Sequence, residues 1–167
     1  MDAGQKESVI TQIHQIYIRA TPEAIWEAIT SPEWNGKYGY RAAGAYDLKP
    51  GGAYRVKASP QMRGMGLPET IIDGEVIEAT PPRKLVQTYR FLFSPQNEAE
   101  GFTRVTWEIE PTSQGFCRLC VTHEMKNAPI MAAATASNFN ERGGGGWTWI
   151  LSDIKSLLET GKLLNES

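Results

Sequence analysis

The end of the chain constrains the fold most, because it holds one long amphipathic helix after a series of strand-like segments. Between residues 147 and 164, apolar side chains recur three and four positions apart, at Ile150, Leu151, Ile154, Leu157 and Leu158. This spacing places them on one helical face. It predicts a helix from about Gly146 to Thr160, with Gly161 as its C-cap, and such a helix needs an apolar surface to cover.

The segments before this helix are typical of antiparallel strands. Apolar and polar residues alternate in several of them, a pattern that places one face in a core and the other in solvent. Turn-forming Pro and Gly residues separate them. Seven strands are predicted, over Val9–Ala20, Tyr40–Leu48, Tyr54–Ala58, Thr70–Ala79, Lys84–Phe93, Phe102–Glu110 and Phe116–Met125. We interpret Ser59–Glu69 as a loop and Ser94–Gly101 as a turn.

Two short helices are predicted directly after the first strand. Thr21-Pro22 and Ser31-Pro32 each combine an N-cap residue with proline at the first helical position, and an acid follows each pair. The first helix covers Pro22–Thr30 and the second ends by Gly36. The expected fold class is α+β: a curved antiparallel sheet of about six to seven strands wrapped around the long C-terminal helix. We expect one domain over residues 1–167, with a short flexible N-terminus at 1–8.

Charge and hydropathy exclude several function classes. The 17 Lys and Arg against 19 Asp and Glu give a net charge of -2, whereas nucleic-acid binders carry a basic excess. No apolar run has the length of a membrane span. Residues 1–8 lack the apolar segment of a signal peptide. We therefore expect a cytoplasmic protein that binds neither nucleic acid nor membrane.

The two cysteines, Cys117 and Cys120, have the spacing of a redox or zinc motif. They lie in a predicted strand, where side chains three positions apart point to opposite faces. With only two histidines elsewhere, the chain lacks a convincing set of four zinc ligands. We predict two free thiols and no metal site.

His123 and the pair Glu108 and Glu110 are the candidate acid–base groups. His123 shares the inner face of its strand with Cys117, Leu119 and Val121. It is either a polar group in a cavity, a general base, or a buried histidine bonded to a neighbour. The two glutamates are on the polar face of their strand and are expected to pair with Arg104 or Arg118. No catalytic residue is assigned.

The aromatic residues have two readings, as does the glycine run before the last helix. If a gap separates the long helix from the sheet, the aromatic residues line a pocket; if the helix packs directly on the sheet, they form an ordinary core. This set comprises Tyr54, Tyr89, Phe91, Phe93, Trp107, Trp147 and Trp149. Gly143–Gly146 is either a gate at that pocket or an ordinary flexible connection.

Taken together, six segments of the chain resemble one family. They are TPEAIW at 21–26, SPEW at 31–34, LKPGGAYRV at 48–56, DGEVIEATPPRKLVQTY at 73–89, TRVTWEIEP at 103–111 and GWTWILSDIKSLLETG at 146–161. In this order they resemble the START-like, birch-pollen-allergen-like (SRPBCC) superfamily, in the branch named after the activator of the heat shock protein 90 ATPase. The resemblance implies a helix-grip fold with a cavity between sheet and helix. Its members bind apolar ligands, act on them, or stimulate a chaperone.

We therefore expect the protein to bind a small apolar or aromatic molecule in that cavity, without a cofactor. The expected ligand-binding residues are Tyr54, Tyr89, Trp107, His123, Trp147 and Leu151. One alternative is a co-chaperone that activates the heat shock protein 90 ATPase and has the chaperone as its partner. Another is an enzyme similar to a polyketide cyclase or hydrolase. A monomer and a homodimer both remain open.

Overall fold

The computed structural model describes residues 7–142 and 145–165 of the chain, which form an α+β fold. Its strands are β1 (Val9–Ile18), β2 (Gly44–Tyr46), β3 (Ala53–Lys57), β4 (Thr70–Thr80), β5 (Lys84–Phe91), β6 (Thr103–Pro111) and β7 (Cys117–Lys126). Its helices are α1 (Pro22–Thr30), α2 (Pro32–Asn35), α3 (Pro60–Gly64), α4 (Pro95–Ala99), α5 (Pro129–Thr135) and α6 (Gly146–Thr160). Residues 1–6 of the predicted flexible N-terminus lie outside the described residues.

The strands form one antiparallel sheet in the order β1-β7-β6-β5-β4-β3-β2. The register shifts between Val56 and Lys57 in β3 and between Val76 and Glu78 in β4, and such irregularities bend and twist a sheet. The apolar face of α6 packs into the resulting curve, and Leu151 and Ile154 are fully buried there. The predicted α+β class, the helix-grip arrangement and the two short helices after β1 are confirmed.

The long helix begins at Gly146, as the spacing of its apolar residues predicts. Gly146 has a φ of 58°, and a Cβ atom there would lie 2.1 Å from the Thr135 carbonyl oxygen. Both the left-handed backbone and the close approach to α5 require glycine at this position. Of the run interpreted as a gate or a connection, Gly143 and Gly144 lie outside the described residues.

Two segments interpreted as irregular each contain a single-turn helix. In the predicted loop Ser59–Glu69, the Ser59 hydroxyl accepts a hydrogen bond from the Met62 amide at 3.2 Å and begins α3. In the predicted turn Ser94–Gly101, Ser94 does the same for the amide of Asn97, also at 3.2 Å, and begins α4. In both cases a capping serine followed by proline starts the helix.

The strand predicted over Tyr40–Leu48 is much shorter than expected, and α5 was not predicted. Gly39 and Arg41 have φ values of 63° and 55°, and this left-handed backbone is incompatible with an extended strand. Only β2 therefore pairs with β3, over three residues. The irregular segment 38–42 instead folds towards the inner face of the sheet, near the beginning of α6.

The outer face of the sheet carries one of the predicted ion pairs and one that was not predicted. Arg118 contacts Glu110 at 2.8 Å, as expected, whereas Arg104 contacts Glu124 at 3.9 Å instead of Glu108. The two cysteines are on opposite faces of β7, and both are buried and unbonded to each other. Their spacing on a strand thus keeps the thiols apart.

Candidate functional site

A cavity of about 300 Å³ lies between the sheet and the first turns of α6. This volume is at the lower end of the range of small-molecule sites, which is roughly 300–1,000 Å³. Its floor comes from the inner faces of β3, β4, β5 and β6. The irregular segment 38–42, α3 and α5 surround it on the remaining sides.

An aromatic row forms much of the cavity wall. Tyr46 and Tyr54 stack with ring centroids 4.3 Å apart and planes 22° apart, and Tyr54 and Tyr89 are 6.2 Å apart at 20°. Trp147 from α6 meets Trp107 edge to face at 5.5 Å. These contacts hold the rings rigidly around the space, so the wall is preformed.

Four of the six residues predicted to bind a ligand line the cavity, namely Tyr54, Tyr89, Trp107 and Trp147. The other two, His123 and Leu151, are buried behind the wall and are not among its lining residues. Of the other aromatics, Phe91 and Phe93 also line the cavity, whereas Trp149 lies outside it. His123 faces inward from β7, as predicted from its period-two placement.

His123 anchors the cavity wall through three consecutive hydrogen bonds. The Trp147 indole Nε1–H donates to His123 Nδ1 at 3.1 Å, and His123 Nε2 is 2.7 Å from Thr103 Oγ1. The Thr103 hydroxyl donates to the Tyr89 carbonyl oxygen at 2.8 Å. Because an indole N–H only donates and the threonine hydrogen is already used, the imidazole carries its proton on Nε2. Every polar atom of the ring thus has a partner.

Burial keeps this imidazole neutral. His123 is 0% exposed, and the loss of hydration lowers its pKa from 6.5 to about 4, with a further contribution from His14. A neutral ring suits the hydrogen bond from Trp147, because a protonated Nδ1 would not accept it. His123 therefore positions the Trp147 ring in the wall from behind.

The Gln87 amide is the polar group that sequence reasoning missed. Alternation along β5 directs Gln87 inward with Leu85, Tyr89 and Phe91, and the side chain is 1% exposed. Its Oε1 accepts a hydrogen bond from the Tyr46 hydroxyl at 2.8 Å, whereas its Nε2 has no hydrogen-bond partner among the described residues. Gln87 lines the cavity. A lone amide among inward-facing apolar residues of one strand was the signal available in the sequence.

The tyrosines around this amide are protonated. Burial raises the pKa of Tyr46, Tyr54 and Tyr89 well above 10. Neighbouring tyrosines raise the pKa of Tyr54 and Tyr89 further, whereas a hydrogen bond with Tyr54 partly offsets the effect of burial on the pKa of Tyr46. Because the phenols keep their protons, they offer the cavity hydroxyl groups rather than phenolate bases.

Charge is confined to the rim of the cavity. Among the described lining residues, Arg41 alone carries a charge; its side chain is exposed and donates to Asn165 Oδ1 at 3.0 Å. Within the described part of the chain, we find no group of three or more His, Cys, Asp or Glu residues placed to hold a metal ion. No described helix combines the length and the apolar character needed to cross a membrane.

Comparison with protein families and curated sequences gives one match. The family model described as "Activator of Hsp90 ATPase homolog 1-like protein" matches residues 19–159. The match covers most of the chain, including the aromatic row, Gln87 and α6. None of the curated protein sequences compared with the chain matches it significantly.

Several solved structures share the fold. Protein MLL2253 from Mesorhizobium loti has a TM-score of 0.67 at 17% identity, covering 92% of this chain and 100% of that one. CalU16 from Micromonospora echinospora has 0.62 at 17% identity, over 98% and 80%. PFC0360w, an Hsp90 activator from Plasmodium falciparum, has 0.54 at 24% identity, over 92% and 90%. At these identities the likeness concerns the fold.

The chain belongs to the Activator of Hsp90 ATPase homolog 1-like family.

Proposed function

We propose that this member of the Activator of Hsp90 ATPase homolog 1-like family binds a small, largely aromatic molecule in the cavity between the sheet and α6. The observation that carries the proposal is the Gln87 amide, which is buried in an aromatic wall and whose Nε2 has no partner within the described part of the chain. Protein interiors are close-packed, and their buried polar groups are nearly always hydrogen-bonded. A preformed, mostly apolar space with a few polar groups is typical of a ligand site.

The chemistry of the wall supports binding rather than acid–base catalysis. Burial keeps the hydroxyls of Tyr54 and Tyr89 protonated. Both nitrogens of His123 are engaged by Trp147 and Thr103. A general base needs a free lone pair within reach of the proton that it removes, and these groups hold and orient the wall instead. The two free cysteines suit the reducing cytoplasm, which we propose as the location.

Ligand binding can be tested with the neutral dye Nile red and by native mass spectrometry. We expect the purified protein to bind the dye saturably, with energy transfer from tryptophan, and a retained small molecule would appear as a mass increment. Val56→Phe, which adds a ring to the cavity wall, should weaken dye binding at least tenfold. Val9→Phe, the same change at an exposed position of β1, should leave it unchanged.

Equal dye binding by Val56→Phe and the wild type, with both folded, would contradict the proposal. The same holds if the wild type binds no dye and retains no small molecule. The second candidate function is suggested by the family description, which names an activator of the Hsp90 ATPase. A saturable rise in the ATPase rate of purified Hsp90 that Val56→Phe leaves intact would favour this co-chaperone function over the cavity.

A further inference from the structure

We infer that the ligand is a neutral aromatic carbonyl compound whose oxygen accepts a hydrogen bond from Gln87 Nε2. This inference rests on the proposed function and specifies its ligand class. It is drawn from the orientation of one amide, the charge distribution of the cavity and the geometry of the rings beside that amide.

The orientation of the amide decides which group the ligand must offer. The Tyr46 hydroxyl donates to Gln87 Oε1 at 2.8 Å, so the oxygen end of the amide is already occupied. The Nε2 end carries two N–H donors that have no acceptor among the described residues, and Gln87 is one of the residues that line the cavity. A complementary ligand therefore presents an acceptor. A ligand without one leaves this buried donor unpaired, which sites of this kind discriminate against strongly.

The charge distribution decides that the acceptor is neutral. Among the described lining residues only Arg41 is charged, and it is exposed at the rim. The hydroxyls near Gln87 belong to Tyr46 and Tyr54, which burial keeps uncharged. Moving an ionised carboxylate into such a space without a cation is strongly unfavourable. A carbonyl oxygen accepts the same hydrogen bond without carrying that cost.

The ring geometry favours a flat body next to the carbonyl. Tyr46, Tyr54 and Tyr89 lie with successive planes only 20–22° apart, and Tyr89 is two residues beyond Gln87 on β5, on the same inner face. Aromatic rings prefer offset-stacked or edge-to-face contacts with their neighbours. A planar ligand can stack along these rings while its oxygen reaches the amide.

Fluorenone and fluorene form a matched pair of probes, since they share one planar skeleton and differ by a carbonyl. We would measure both affinities by tryptophan quenching for the wild type and for Gln87→Met, which keeps the side-chain length and removes the donor. The ratio of fluorenone affinity to fluorene affinity should fall about tenfold in Gln87→Met, as expected for one hydrogen bond between neutral groups. In Tyr46→Phe, which leaves the Gln87 donor in place, the ratio of fluorenone affinity to fluorene affinity should stay close to that of the wild type.

A second measurement does not depend on a variant that folds. The infrared C=O stretch of fluorenone bound to the wild type should lie below its position in hexane, because a hydrogen bond weakens the carbonyl bond. Fluorene carboxylate is the third probe, and it should bind at least tenfold more weakly than fluorenone.

The outcomes separate this inference from the proposed function. If fluorenone and fluorene bind with a ratio that Gln87→Met does not change, or if the C=O stretch does not shift, the carbonyl inference is wrong and the cavity remains a binding site. The same conclusion follows if the carboxylate binds most tightly. If neither Nile red nor any of the three fluorene-based probes binds, the proposed ligand-binding function is wrong as well.

Discussion

Protonation of His123 should couple the acid stability of the protein to the position of the Trp147 ring. The pKa of His123 is about 4 in the folded protein, below its ordinary value of 6.5. Between these two values the unfolded chain binds a proton that the folded protein excludes. The contribution of His123 to stability is therefore complete above pH 6.5, and it is lost progressively as the pH falls through the folded-state pKa.

The magnitude follows from the two pKa values. One pKa unit corresponds to about 1.4 kcal/mol, so the free energy of unfolding should fall by ~1.4 kcal/mol at about pH 5.5 and by ~2.5 kcal/mol at about pH 4.5, relative to neutral pH. Urea unfolding at a series of pH values measures this loss directly. Tryptophan emission of the folded protein should change at lower pH, around pH 4, because only there does His123 take up a proton in the folded state and stop accepting the indole N–H.

His123→Asn provides the control, because an amide oxygen at this position can accept from the Trp147 indole without titrating. His14 lowers the pKa of His123 by its like charge, and burial lowers the pKa of His14 itself. His14 remains in both proteins, so the difference between the two stability profiles isolates His123. Parallel profiles for the wild type and His123→Asn from neutral pH down to about pH 4.5 would refute the assignment of a neutral, buried imidazole.

Two further predictions concern bonds elsewhere in the fold. Thiol titration without reductant should find two free thiols, Cys117 and Cys120, and should detect them only after unfolding, because both side chains are buried on opposite faces of β7. A thiol count near zero in unfolded protein of monomeric mass would contradict this prediction. Asp153→Ala should lower the free energy of unfolding by roughly 2–4 kcal/mol in urea, since the buried carboxylate accepts the backbone N–H groups of Gly39 at 2.8 Å and Leu164 at 3.0 Å. A loss below about 1 kcal/mol would show that water replaces these bonds.

The elements with strong periodicity could be predicted from the sequence, and so could the single-turn helix α2 from its Ser31-Pro32-Glu33 start, whereas the single-turn helices α3 and α4 were not predicted. The bounds of α1 and α6 agree with the predicted ones, because several turns of apolar spacing define them. Single turns such as α3 and α4 have no such spacing, and only the pairs Ser59-Pro60 and Ser94-Pro95 mark them. In glycine-rich and polar surroundings those pairs were interpreted as loop residues.

Helix α5 shows where local sequence signals run out. Its N-cap residue, Ala128, has no side chain that could cap it, and the helix carries no charge in its first or last turn. Its cap comes from a distant segment, since the Glu100 carboxylate accepts two amide N–H groups of the first turn at 2.8 and 3.1 Å. Its stability comes from tertiary contacts instead, through the buried residues Met131, Ala132 and Thr135. Packing against the rest of the fold supplies most helical stability in proteins. That contribution is not visible in a seven-residue segment.

The cavity itself could be predicted only as one of two alternatives. Strand alternation showed which aromatic residues face inward, but an inward-facing tyrosine looks the same in a sequence whether it meets a helix or an open space. The position of α6 is fixed by contacts with other segments, such as the close approach of Gly146 to Thr135 and the hydrogen bond from the Gly39 amide to Asp153. The sequence does not show such contacts between segments.

Two inward-facing polar side chains near the cavity, His123 and Gln87, are partnered differently, and this difference indicates where a ligand binds. His123 has a partner for each nitrogen, so a bound molecule would gain nothing from it. Among residues 7–142 and 145–165, Gln87 has a partner only for its oxygen, and its two N–H groups are buried without an acceptor. A buried unpaired donor costs about 1–3 kcal/mol, so an apolar residue of similar size would make the free protein more stable. A bound acceptor removes that cost, and any ligand that binds only the folded state stabilises it further. The sequence pointed to His123 because of its acid–base chemistry, whereas the hydrogen bonds of the structure point to Gln87 as the residue whose free donors a ligand would pair.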